Sequence, residues 1–217
     1  MDEKGPDRPS RTIRKRTREP GGATVKPGTY KVVVEYGNNT DETSVTVKTD
    51  PRLNVSQASI NAVYETTKKL EAQMQTAADA VRQLAESKKV ANKYEKDLKE
   101  LDKDKYKEQI KASKEIVKGI DSVMAVYLGK VDKRQGITRN PEVTVMQRIS
   151  NAYRYVASRK TGITATEERL IRFAQDDLKA ALEQTNAFFS NRWKAYQEAM
   201  EKLELSPFKE TETFTLE

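Results

Sequence analysis

Two short runs of alternating apolar and polar residues near the N-terminus predict a pair of β-strands. The apolar positions of the first run are Tyr30, Val32, Val34 and Tyr36. This period of two, with β-branched and aromatic residues, is typical of a strand that is buried on one face. Val45 and Val47 mark a second strand within residues 42–49, and residues 37–41 between the runs have hairpin-loop chemistry. Residues 27–53 are therefore predicted to form a β-hairpin.

The apolar face of this hairpin is expected to need a covering surface. A two-stranded hairpin is only marginally stable in water, because its apolar face has nothing to pack on. The cover could be the arm around Ile13, the helical region, or strands that are missing from this chain. We take Tyr30, Val32, Val34 and Tyr36 as a candidate interaction surface.

After Ser56 the apolar spacing changes to three and four residues and predicts helices almost to the end of the chain. The first helix, capped by Ser56, covers about 45 residues and would span roughly 68 Å. The others are predicted at about 105–128, 142–158 and 164–203, with Gly129 and Ser206-Pro207 as stops. The expected fold class is mainly α, an elongated antiparallel three- or four-helix bundle preceded by a small β-hairpin.

These patterns divide the chain into four parts. Residues 1–26 form a basic flexible arm or an edge strand, and residues 27–53 form the hairpin. Residues 54–205 form the helical bundle and residues 206–217 a tail. Arg14, Arg16 and Arg18 would share one face of the arm and are candidate contacts for an acidic partner. No aromatic residues alternate with them for base stacking, so the sequence gives little support for nucleic-acid binding.

Composition excludes several kinds of chemistry. The 217 residues include 0 Cys and 0 His, which rules out cysteine nucleophiles, disulfides, Cys/His zinc sites and histidine general bases within this sequence. Lys and Arg number 40 against 33 Asp and Glu, a modest excess that is typical of a solvated surface. No window approaches the 18 or so apolar residues of a membrane span, and the first residues lack the apolar core of a signal peptide.

The acidic pairs Glu167-Glu168 and Asp176-Asp177 are the candidates for acid–base or metal chemistry. Adjacent helical residues point about 100° apart, and the first pair lies in a first helical turn, where the helix dipole favours acids. Thr164 and Glu167 fit a capping box. We therefore expect no catalytic residue, no cofactor and no metal site, and hence a chain that is not an enzyme.

One stretch carries a family resemblance. Pro-Gly-Thr-Tyr-Lys-Val, an apolar strand, a short polar turn, Val-Thr-Val-Lys-Thr-Asp-Pro-Arg-Leu and then a long helix follow one another within residues 27–53 and beyond. This order resembles the C-terminal region of bacterial secreted proteins with BNR (Asp-box) or sortilin-type β-propellers, often labelled glycosyl hydrolases. The resemblance implies that the hairpin is the end of an Ig-like or FlgD-like β-domain. It covers no propeller, so it transfers no catalytic residue.

The resulting functional hypothesis is a non-catalytic structural or protein-interaction module of a secreted or cell-envelope β-propeller protein. Two alternatives stay open: an appendage of a secreted glycoside hydrolase, and a stand-alone coiled-coil adaptor whose basic arm binds an acidic surface or nucleic acid. The expected partner is a protein or an upstream β-propeller domain. The location would be extracytoplasmic if the chain is part of a longer or processed protein, and cytoplasmic if it is complete. The sequence does not give the oligomeric state.

Overall fold

The structure is a computed structural model that describes residues 2–12, 18–131 and 142–203. About 63% of the described residues are helical, and small antiparallel β-sheets lie at the N-terminal side. The protein is therefore mainly α, with a helical bundle preceded by a hairpin, as the apolar spacing predicts.

The bundle is built from one long helix against which the rest of the chain folds back. Its helices are α1 (Gln57–Asp102), α2 (Lys107–Leu128), α3 (Val145–Ala157), α4 (Ala165–Ala187) and α5 (Lys194–Glu201). A π-helical segment, Phe188–Trp193, joins α4 to α5 without a break. Helix α1 packs against α2, α3 and α4, and α3 packs against α4. The second and third helices together are shorter than α1 and cover successive parts of it.

The core is the inward stripe that the sequence predicts for each helix. Between Ile116 and Val117, which the spacing leaves undecided, Ile116 is buried and Val117 only partly so. Leu101, at the end of the predicted stripe of α1, is 37% exposed. The large side chains with the least exposure are Leu70, Leu84, Leu98, Ile120, Met124, Tyr127 and Ile149.

Helix caps fix the boundaries. Ser56 caps α1, because its hydroxyl accepts the Ser59 backbone N–H at 3.1 Å. Gly129 ends α2 with a φ of 80°, a conformation that side chains disfavour. Helix α3 begins at Val145, three residues after the predicted start, because Thr144 and Gln147 form a capping box. In α4 the predicted box also forms, with the Thr164 N–H donating to Glu167 Oε2 at 3.0 Å.

The last helix departs from the predicted pattern at its π-helical segment. The extra residue in this turn shifts the phase of the inward stripe. The spacing of three and four residues predicts Phe189 and Trp193 as core positions of the last helix, but both are only partly buried. Phe188, which that spacing does not select, is 5% exposed. Beyond the segment Tyr196 and Met200 are buried again. The π turn thus keeps both ends of a long helix in register with the same core.

Among the described residues, four strands precede the bundle. They are β1 (Asp2–Lys4), β2 (Gly21–Thr24), β3 (Gly28–Tyr36) and β4 (Asn39–Val47). Strands β1 and β2 pair with each other, and β3 pairs antiparallel with β4. The hairpin loop is shorter than predicted, because Gly37 adopts a φ of 59° and allows a two-residue turn. Residues 39–41 therefore belong to β4 rather than to a loop.

An N-terminal strap, residues 2–12 and 18–24, lies along α1. Lys68 Nζ contacts Glu3 Oε2 at 2.9 Å, and the Tyr64 hydroxyl donates to Glu3. Further along, the Asp7 N–H donates to Gln75 at 2.9 Å and Arg82 pairs with Asp7 at 2.8 Å. The strap lies within residues 1–26, the segment for which the sequence predicts a basic flexible arm or an edge strand. Ile13, one of the predicted covers for the hairpin, lies outside the described residues.

Candidate protein-interaction surface

The hairpin register separates an apolar face from a polar one. Directly opposed residues share a face, and the pairs Tyr30↔Val45, Val32↔Thr43 and Gly28↔Val47 place the valines of β4 beside the apolar positions of β3. The hairpin apolar face consists of Tyr30, Val32, Val34, Tyr36, Val45 and Val47, and it also includes the polar residues Thr43, Asp41 and Asn39 of β4. The hairpin polar face consists of Thr29, Lys31, Val33, Glu35, Thr40, Glu42, Ser44 and Thr46. Lys31 and Glu42 form an ion pair on the polar face.

The apolar face is covered at its base and exposed at its tip. Tyr30, Val32 and Val47 are partly buried, and the Tyr30 hydroxyl donates to the Lys26 carbonyl at 2.7 Å. In contrast, Val34 is 62% exposed and Tyr36 84% exposed. Among the described residues, the covering that the sequence predicts for this face is found only at the base. Exposed adjacent apolar residues on a regular element are typical of a binding surface.

A cleft lies where the hairpin meets the bundle, and it continues the apolar face. This basal cleft has a volume of about 360 Å³ and lies between the ends of β2 and β4, the start of α1 and the end of α3. Its apolar lining includes Val25, Val47, Val55, Ile60, Val63 and Ala157. The sequence does not reveal this cleft, because its lining comes from four elements that meet only in the folded chain.

The rim of the basal cleft is mainly basic. Lys26, Lys48, Arg159 and Lys160 line it together with Asp50. Lys26 lies 4.4 Å from the ring centroid of Tyr64, a cation–π contact, and 3.5 Å from Glu65. Hydrogen bonds from the side chain and backbone of Arg52 lower the pKa of Asp50, which therefore remains ionised near neutral pH. The rim can thus orient charged groups on a partner around an apolar centre.

Two tyrosines of the cleft donate to carboxylates, and one of them, Tyr64, connects the cleft to the strap through Glu3. Tyr64 and Tyr153 both line the cleft, and the Tyr153 hydroxyl lies 3.4 Å from Glu71. The hydrogen bond to Glu3 raises the pKa of Tyr64, and burial raises the pKa of Tyr153. Both hydroxyls therefore stay protonated at neutral pH and donate to carboxylates.

Of the predicted arginine row, only one member can be placed. Arg18 is exposed, and Arg14 and Arg16 lie outside the described residues. The structure therefore does not bring the arginine row and the hairpin apolar face together into one described surface.

One residue of each acidic pair considered for chemistry has a structural partner. Glu167 is 3% exposed and serves the α4 cap, where hydrogen bonds from Thr164 lower the pKa of its carboxyl. Asp177 lies 3.2 Å from Arg148. In residues 2–12, 18–131 and 142–203, no group of three or more acidic, His or Cys side chains is arranged to hold a metal ion. No helix in the same ranges combines the length and apolar character needed to cross a bilayer.

The sequence matches the N-glycosylation sequon at Asn38-Asn39-Thr40 and at Asn54-Val55-Ser56, and both matches have local structural explanations. Asn38 occupies the two-residue turn, and Ser56, the third residue of the second sequon, caps α1. Turn and cap positions favour Asn and Ser for their hydrogen bonding.

Comparison with known proteins adds no relative. The chain matches no family profile, no curated protein and no solved structure.

Proposed function

We propose that this chain is a non-catalytic protein-interaction module in which the helical bundle presents the β-hairpin to a protein partner. The observation that carries the proposal is the hairpin apolar face, whose outer residues Val34 and Tyr36 are exposed although they belong to a regular strand. Burial of such side chains on association is favourable by about 1.5–3 kcal/mol each. The basal cleft next to this face offers room for one anchoring side chain of the partner.

We propose a β-propeller domain as the partner, in a secreted or cell-envelope protein. The support is the resemblance of residues 27–53 to the C-terminal region of BNR or sortilin-type propeller proteins. Asp-box repeats encoded directly upstream would support this partner class, and a gene without them would count against it. A role as an appendage of a glycoside hydrolase uses the same surface. The basic-arm adaptor depends on Arg14, Arg16 and Arg18, of which only Arg18 lies within the described residues.

The test is a binding measurement with a separately expressed propeller and two matched variants. Val34→Asp places a charge on the exposed apolar face, and Ser44→Asp places the same charge on the polar face, opposite Lys31. We expect Val34→Asp to weaken binding at least about tenfold and Ser44→Asp to leave it nearly unchanged, because burial of an unpaired charge is costly. The complex should persist at moderate salt.

Two results would contradict the proposal. Equal binding by both variants would show that the apolar face is not the contact. Loss of the complex at moderate salt would favour the basic-arm adaptor, because phosphate or acidic-surface binding is strongly salt-dependent. Circular dichroism and amide spectra of both variants check that the hairpin remains folded.

A further inference from the structure

The outer edge of β3 has no partner strand among the described residues, and its hydrogen-bonding pattern is defined by the pairing with β4. The two-residue turn makes Tyr36↔Asn39 a hydrogen-bonded pair, so the hydrogen-bonded pairs fall on the even-numbered residues of β3. The backbone N–H and C=O groups of Lys31, Val33 and Glu35 therefore point away from β4. Within the part of the chain that the structure describes, β3 pairs only with β4.

The residues along this edge are self-complementary. The sequence Tyr30-Lys-Val-Val-Val-Glu-Tyr36 has a basic residue two positions before Val33 and an acidic residue two positions after it. A second, antiparallel copy centred on Val33 would place the partner's Glu35 opposite Lys31 and the partner's Val34 opposite Val32. The tyrosines at the two ends would also face each other.

We propose that two copies of this chain pair through β3, antiparallel and with the two-fold axis at Val33, to form a four-stranded sheet in the order β4-β3-β3-β4. This register allows backbone hydrogen bonds between the two copies of β3, because it places odd-numbered residues opposite each other and their N–H and C=O groups point outward. Opposite charges directly across a strand pair are stabilising and like charges are destabilising. This inference goes beyond the proposed function, since it uses the edge of β3 and not the hairpin apolar face.

The other edge of the hairpin lacks this complementarity. A reversed copy of β4 centred on Glu42 would oppose Glu42 to itself, and one centred on Ser44 would give no opposite-charge pair. Pairing of β3 with β4 of the next copy would leave an edge open and produce a chain of molecules, whereas pairing of β3 with β3 closes on two copies. Charge therefore selects β3 over β4, and closure selects a pair of like strands over a β3–β4 pair.

The charges on β3 are available for this contact. Glu35 is exposed, and the side chains of Lys31 and Glu42 within one hairpin are 60% and 61% exposed. Solvent screens an exposed ion pair, so the pair of Lys31 with Glu42 contributes little free energy and leaves Lys31 able to pair with another carboxylate. A single strand pair is smaller than a standard protein interface, so we expect a weak dimer that forms at high protein concentration.

Sedimentation equilibrium of the full chain from about 10 μM to 1 mM tests the proposal, a range chosen for an interface of this small size. We expect a monomer–dimer equilibrium in the wild type. Lys31→Glu and Glu35→Lys should each weaken it at least about tenfold, because each creates two like-charge oppositions per dimer. An equimolar mixture of the two single variants should form heterodimers, because every opposition then joins unlike charges.

The double variant Lys31→Glu/Glu35→Lys separates the intermolecular contact from the fold of the hairpin. It should dimerise like the wild type, although its new carboxylate at position 31 lies beside Glu42 within each hairpin. If Lys31 acted only through Glu42, the double variant would remain monomeric. A wild type that stays monomeric at about 1 mM, a dimer that Lys31→Glu leaves unchanged, or single variants that do not associate when mixed would each overturn the proposal.

Absence of the β3–β3 dimer and absence of propeller binding can be distinguished experimentally. Lys31→Glu leaves all residues of the hairpin apolar face in place, so it should still bind the propeller at concentrations at which the dimer does not form. Val34→Asp should weaken binding to the propeller whether or not β3 pairs with β3.

Discussion

At the scale of single residues, Gly22 lies where the two parts of the strap approach each other and contact the bundle. A Cβ added at Gly22 would lie 2.8 Å from the Gly5 Cα and 2.9 Å from Glu71 Oε1. A Cβ added at Gly21, the neighbouring residue of β2, would meet nothing within 4 Å. Adjacent glycines therefore have different roles, and the amino-acid sequence alone does not distinguish them.

We expect Gly22→Ala to destabilise the fold by about 1–3 kcal/mol, because the new methyl group must displace backbone or a buried carboxylate. Gly21→Ala is the matched control and should change the free energy of unfolding by less than about 0.5 kcal/mol. Urea unfolding measures both variants. Hydrogen exchange of the strap amides tests whether the loss begins there; equal stability of the two variants would contradict this packing.

At the scale of elements, helix starts are defined by caps rather than by apolar spacing. The start of α3 shows this, because Thr144 caps it and accepts the Gln147 N–H at 3.2 Å while Gln147 accepts the Thr144 N–H at 3.1 Å. Thr144 is 5% exposed, so no water replaces its hydroxyl easily. The cap therefore fixes where α3 begins, and its loss should be measurable in the stability of the bundle.

Thr144→Ala is expected to cost about 0.5–2 kcal/mol in unfolding free energy, since it leaves a helical N–H without its acceptor. Thr144→Ser keeps the hydroxyl and should retain most of the stability. Thermal and urea unfolding of the two variants provide the comparison. If serine were as damaging as alanine, the lost methyl group and not the cap would be responsible.

At the scale of the whole molecule, an ionic cluster holds the strap on the bundle. Lys68 contacts both Glu3, at 2.9 Å, and Glu71, at 2.8 Å. Hydrogen bonds from Tyr64 and then from Lys68 lower the pKa of the Glu3 carboxyl, and the two carboxylates raise the pKa of Lys68. The same cluster lies beside the basal cleft, because Tyr64 belongs to both.

This cluster predicts a loss of stability in acid. A carboxyl whose folded pKa is lowered stabilises the fold above its ordinary pKa of 4.5, and that contribution disappears as the pH falls through the folded pKa. At pH 7 the free energy of unfolding of the wild type should exceed that of Glu3→Gln by about 1 kcal/mol or less, because the ion pair of Glu3 with Lys68 is partly exposed. The difference should shrink below pH 4.5. Unfolding free energies of both proteins between pH 7 and pH 3 test this prediction. A difference that grows in acid would show that folding raises the pKa of Glu3 instead of lowering it.

The sequence by itself determined the elements of this protein. Period-two and period-three-to-four spacing placed the hairpin and the helical stripes, and Ser56, Gly129 and Thr164 gave boundaries that the structure confirms. These signals are local, because propensity, burial periodicity and capping depend on residues within a few positions of each other. For the same reason the sequence identified the apolar and polar faces of the hairpin.

Only the tertiary structure decided what those faces meet. The strap on α1, the basal cleft and the half-covered hairpin face depend on contacts between residues far apart in the chain, such as Glu3 with Lys68. The π-helical segment also has a tertiary origin, since it keeps Phe188 and Tyr196 in one core. Long-range packing has no fixed spacing in the sequence, so the exposed tip of the hairpin, the feature from which function is proposed, became visible only in the folded chain.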